Sequence, residues 1–142
     1  MAKAYRTRGS TLPTLVGNWL GDSARGIVRK GIKSNFDTES ADGIKWAALA
    51  PRTIEERGGS AHPILFRTGA LLNEALGLNG NNSKISRTPY GMNMKYEFKS
   101  DKAKELHFGV KEANLPARPF LLLTKNADKE LRLSFHKLIF NK

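Results

Sequence analysis

From Val16 to Phe36 an apolar side chain returns every fourth residue: Val16, Leu20, Ala24, Val28, Ile32 and Phe36, with Trp19 and Ile27 beside them. That spacing follows the helical period and stacks one face against a core. Thr11 stands where a cap belongs, and Pro13 suits a first turn. Gly17, Gly21, Gly26 and Gly31 interrupt the pattern, each weakening a helix interior by about 1 kcal/mol. The segment is therefore expected as a helix that is either continuous or bent and broken. Further along, the period changes to two. Met92, Met94, Tyr96 and Phe98 alternate with Asn93, Lys95, Glu97 and Lys99, the signature of a strand with one wet face. Ser83–Thr88 is its expected hairpin partner, joined near Pro89-Tyr90-Gly91.

The remaining elements follow from local signals. Residues 37–50 read as a loop with an apolar knot at Trp46–Leu49. Pro51 opens a short helix that Gly58 and Gly59 stop. The stretch around Pro63 is expected to be extended. Thr68 is the expected N-cap of a helix over 69–76, with Leu71, Leu72, Ala75 and Leu76 on its buried side. Asn79-Gly80-Asn81-Asn82 signals a turn. Leu106, Phe108 and Val110 alternate and predict another strand, with His107 on its polar phase. Two prolines make 114–119 a stiff connector. A closing amphipathic helix is expected over 128–141, with Ala127, Leu131, Phe135, Leu138 and Ile139 facing the core. Helices toward both ends and strands between them define an α+β fold. It consists of a small antiparallel sheet flanked by N-terminal, middle and C-terminal helices. The expected organisation is a flexible basic arm, 1–11, followed by a single domain, 12–142.

Charge is the next constraint. The formal net charge is +11, and the hydrophobic share of 39% is too large for a disordered chain. Residues 1–36 carry seven basic side chains against Asp22 alone. Among them Arg25, Arg29 and Lys33 are spaced by four and form one positive stripe if the helix holds. With Arg6 and Arg8 of the arm they are candidate contacts to DNA or to an acidic partner; a solvated helix face is the plainer reading. A field of this sign attracts polyanions.

Catalytic constellations are absent from the sequence pattern. Without cysteine there is no disulfide framework, thiolate metal site or cysteine nucleophile. His62, His107 and His136 share no metal-ligand spacing. Asp37, Glu39 and Asp42 form the densest acid group and are a weak candidate for Mg²⁺ and a metal-dependent nuclease. No phosphate-binding glycine loop or nucleophile elbow occurs. Nor is there a zinc finger, an aromatic RNA-binding strand or a helix-turn-helix pattern. Tyr96 and Phe98 lie on the phase of Met92 and Met94, where core packing outweighs base stacking. The longest apolar stretches, such as Phe120–Leu123, are too short to cross a bilayer, and the first residues lack the apolar core of a secretion signal. The expectation is a non-enzymatic protein with no cofactor and no metal, made in the cytoplasm and without membrane contact.

Three segments carry a resemblance. The first runs from Gly43 through Trp46 and Leu49 to Thr53-Ile54. The second is Ile64-Leu65-Phe66-Arg67-Thr68-Gly69-Ala70-Leu71. The third is His107-Phe108-Gly109 followed by Leu115-Pro116-Ala117-Arg118-Pro119-Phe120-Leu121. In this order they resemble the virion morphogenesis, or tail completion, family of tailed bacteriophages and prophages of the Mu-like kind. The Pro-Ala-Arg-Pro-Phe string is the most specific piece. Leu122 departs from the small residue that usually follows it, and residues 101–104 lack the usual aromatic-alanine pair. The resemblance implies a structural protein of the virion, at the head–tail junction or the tail end. It implies a homo-oligomeric ring around the DNA channel, in contact with other neck and tail proteins. Trp46, Arg67, Gly69, His107, Arg118 and Phe120 are the candidate motif or interface residues. Arg118, with its planar fork of donors, is expected to hold a carboxylate or backbone carbonyls in its own subunit, or to pair across an interface. Trp46, Leu49 and Ile54 are expected to pack on the core or to meet a neighbour. A sequence-independent DNA-binding protein is the alternative function.

Overall fold

The computed structural model describes residues 11–77, 83–88, 91–96 and 101–140. The N-terminal arm with Arg6 and Arg8, the Asn79–Asn82 turn, the Pro89-Tyr90 connection and Phe98 lie outside the described residues.

The glycine-studded segment is one continuous rod. Helix α1 (Leu12–Trp19) passes through a π-helical turn, Leu20–Ala24, into α2 (Arg25–Thr38). Gly21 lies in this wider turn, and the rod continues through it; π-helix occurs mostly as such single turns inside α-helices. Thr11 precedes α1 but makes no capping bond; its hydroxyl meets that of Thr14 instead, at 3.0 Å. Pro13 sits in the first turn, where its missing N–H has no helical acceptor to lose.

Residues 37–50 hold more order than a loop. Helix α2 runs on to Thr38, and Glu39 closes it in the left-handed conformation, φ 49°. A small hairpin follows, β1 (Ser40–Ala41) against β2 (Ile44–Lys45), turned by Asp42 and Gly43. Pro51 opens α3 (Pro51–Glu56), and Gly58 and Gly59 end it with positive φ. Helix α4 (Ala70–Ala75) is capped by Gly69, not by Thr68. Thr68 Oγ1 lies 3.4 Å from the Ala70 N–H, a long contact. The second hairpin pairs β3 (Ser83–Thr88) with β4 (Gly91–Tyr96), in the register Ser83 to Tyr96 and Thr88 to Gly91.

The expected strand over 106–110 is instead helix α5 (Asp101–Phe108). Gly109 leaves it with φ 74°. Val110 then pairs with Leu115 in a single bridge around a 3₁₀ turn, Lys111–Ala113. Helix α6 (Lys125–Phe140) starts earlier than the sequence pattern indicates. Asp42 Oδ1 accepts the Lys125 N–H at 3.2 Å, which satisfies a free donor of its first turn.

The described residues form an α+β fold with two small antiparallel hairpins. The core gathers Ile32 and Phe36 of α2, Trp46, Ile64, Ala75, Ala103 and Phe120. Helix α6 lies along α1 and α2. Gly31 allows this close approach, since a Cβ there would stand 3.2 Å from that of Ala127. Trp19 Nε1 donates to Ser134 at 2.8 Å, and its ring meets Phe135 edge-on at 5.1 Å. Phe135 therefore packs on α1 and stays partly exposed, whereas Ala127 is buried. No described helix is long and apolar enough to cross a membrane.

Candidate functional site

The three motif segments, far apart in sequence, meet around Arg118. A guanidinium carries five donors in a fixed fork and suits adjacent carbonyl oxygens. Arg118 Nε donates to the Ala47 carbonyl at 2.9 Å, and Nη2 to that of Ala48 at 2.8 Å. Both acceptors belong to the first motif segment. Of the alternatives open to Arg118, these are backbone carbonyls of its own chain. Arg118 as a whole is 3% exposed. Burial lowers its pKa from the ordinary guanidinium value.

The backbone around it is equally tied. The Arg118 N–H donates to the Leu106 carbonyl at 2.9 Å, joining the connector to the end of α5. The Phe120 N–H reaches back to the Arg118 carbonyl at 2.8 Å, a three-residue turn across Pro119. Phe120 is fully buried, its ring 5.6 Å from Phe36 and 5.2 Å from His107. Trp46 is buried edge-on against Phe36 at 5.5 Å, with its Nε1 unpartnered.

His107 is a helix residue, half-buried under the connector, and not the polar face of a strand. Its Nδ1 faces the Leu121 N–H at 3.4 Å. Burial pushes its pKa below the ordinary imidazole value. The unfolded chain therefore takes up a proton more readily than the fold. This imposes no penalty well above about pH 6.5, and a loss of stability that grows as pH falls from there toward the folded pKa. His107→Gln is expected to flatten this part of the stability curve between about pH 7 and 5, read by urea denaturation. Equal slopes for the two proteins would remove His107 from the account.

Residues that the sequence pattern missed hold the same region. Asn35, 2% exposed in α2, donates Nδ2 to the carbonyls of Phe120 at 3.1 Å and Leu122 at 3.0 Å. Its signal was available: it sits beside Phe36 and three residues after Ile32, on the apolar face. Arg57 Nη2 donates to the carbonyls of Pro63 at 2.8 Å and Phe66 at 2.6 Å, fixing the second motif segment. Arg67 is exposed, and Gly69 is buried against the Phe66 ring.

The acid group does not converge. Asp37 pairs with Lys33 at 2.6 Å. Glu39 accepts the Ile64 N–H at 2.5 Å and meets His62 Nδ1 at 2.6 Å. Asp42 holds the start of α6. Among the described residues no group of three or more potential ligands is placed to hold a metal ion.

The basic stripe divides in the same way. Lys33 is exposed and paired with Asp37. Arg25 and Arg29 are half-buried, and the Nε of each is covered without a hydrogen-bond partner. Only part of the stripe is a solvated face.

Beside Arg118 runs a groove of about 720 Å³ between α3, the 65–71 segment, α5 and the 113–116 turn. All three motif segments line it.

Comparison with family models, with curated proteins and with solved structures finds no match to this chain.

Proposed function

We propose that this protein is a structural assembly protein of a tailed phage or prophage. It completes the tail or joins tail to head through protein–protein contacts around the DNA channel, and it does so without catalysis. The observation that carries this reading is the convergence of the three motif segments on Arg118 and Phe120. A resemblance scattered along a sequence weighs more when its pieces build one junction. Neighbouring neck and tail proteins are the partners, a homo-oligomeric ring is the assembly state, and the virion is the location.

Deleting the gene from its parent phage or prophage tests this. Negative-stain microscopy of the lysate is expected to show separate filled heads and tails, or tails of abnormal length. Normal, joined, infectious particles would overturn the reading.

A second reading, sequence-independent DNA binding, draws on the net charge of +11 and the seven basic side chains of residues 1–36. It predicts that log affinity for a random duplex falls steeply with log salt, with a slope magnitude of several. Binding absent at physiological salt would remove it.

A further inference from the structure

The groove beside Arg118 ends on a charge that the described protein does not neutralise. Nε and Nη2 are bound to neutral carbonyls, and Nη1 donates to nothing. Among the described residues no carboxylate lies within ion-pair distance of Arg118. A buried cation without a counter-charge is unfavourable, and an arriving carboxylate relieves it.

The walls have a different character. Leu49, Leu65, Phe66, Leu71, Leu106 and Leu115 line the groove. Its charged lining has four cations, Arg57, Arg67, Lys102 and Arg118, against Glu56 and Glu74. Glu56 is already bonded to Arg52 at 3.0 Å. The volume of about 720 Å³ falls within the range of ligand clefts. An apolar trough with a buried, uncompensated guanidinium is complementary to a ligand that is both apolar and anionic. A nucleic-acid backbone does not match those leucine and phenylalanine walls. A carboxylate on a side chain can reach past them to Arg118 without burying a chain end.

We propose that this groove docks an extended segment of a partner protein in which apolar side chains flank one glutamate or aspartate, whose carboxylate pairs with Arg118. The inference rests on the assembly reading only in taking the partner to be another virion protein.

The test pans the purified full-length protein against a displayed library of short random peptides, then measures the enriched peptides by fluorescence polarisation. The blocking variant is Ala113→Trp, at an exposed residue of the 3₁₀ turn that lines the groove. Enriched peptides are expected to share one acid between apolar residues. Replacing that acid by its amide is expected to weaken binding about tenfold to a hundredfold. Ala113→Trp is expected to lose binding while keeping the wild-type circular dichroism spectrum. Arg118→Met should lose the acid preference; if it does not fold, the amide peptide and Ala113→Trp decide alone. No enrichment, acid-free peptides, equal binding of the amide peptide, or unchanged binding by Ala113→Trp would each overturn the proposal. So would displacement of the peptide by duplex DNA or by a second copy of the chain. The lysate experiment is read independently: normal virions remove the assembly role and leave the groove's peptide preference standing.

Discussion

Gly109→Val is expected to destabilise the protein by about 4 kcal/mol or more, enough to abolish most of the stability of an ordinary domain. Two effects add. Gly109 has φ 74°, where an L-residue is disfavoured by about 1–2 kcal/mol. A Cβ there would also stand 2.7 Å from both the Ala117 nitrogen and the Leu115 oxygen. Those are backbone atoms, and Leu115 is held by its bridge to Val110. Relief would require breaking that bridge or the Arg118–Leu106 hydrogen bond. Gly26→Ala is the contrasting control. Its helix is regular there and nothing lies within 4 Å of the added methyl, so a gain of about 0.5–1 kcal/mol is expected. Urea midpoints of the variants measure both. Wild-type stability of Gly109→Ala would refute the close approach.

Phe120→Ala is the second large effect, about 3–5 kcal/mol. The ring is fully buried among Phe36, His107 and the rest of the core cluster, so its removal leaves a cavity. Pro119 and Arg118 fix the backbone on one side, and Asn35 holds the Phe120 carbonyl on the other. The surroundings therefore have little freedom to collapse. Phe120→Leu conserves most of the volume and is expected to lose less than about 1.5 kcal/mol. Equal stability of the alanine variant and the wild type would contradict the packing.

The long helices were legible because their apolar period runs over many turns. Ile32 and Phe36 in α2 and Ala127 in α6 carry it into the core. The hairpin of β3 and β4 was legible from alternation and its turn residues. Helix α5 was not. Leu106, Phe108 and Val110 alternate over only three positions, and Phe108 proves 70% exposed. The true core contacts are Ala103 and Leu106, one helical step apart, in a run of good helix formers. At the candidate site, Arg118 was singled out, but its acceptors are the carbonyls of Ala47 and Ala48. Backbone oxygens leave no trace in residue types. The acid group, only a weak metal candidate beside the plainer reading of a solvated loop, shows a similar limit: spacing places Asp37, Glu39 and Asp42 together, but each is drawn to a different donor.

The joining of α6 to α1 and α2 has a consequence for the order of events during synthesis. Trp19 waits for Ser134, and Gly31 for Ala127. Asn35 finds its acceptors only when Phe120 and Leu122 have been made. A nascent chain therefore emerges with the Trp19 and Gly31 side of its first rod uncovered until α6 has been made. Contacts so distant in sequence require a large loop to close before they stabilise anything. Translation arrested before α6 would yield chains that hold every member of the core cluster but leave Trp19 and Gly31 without their partners from α6.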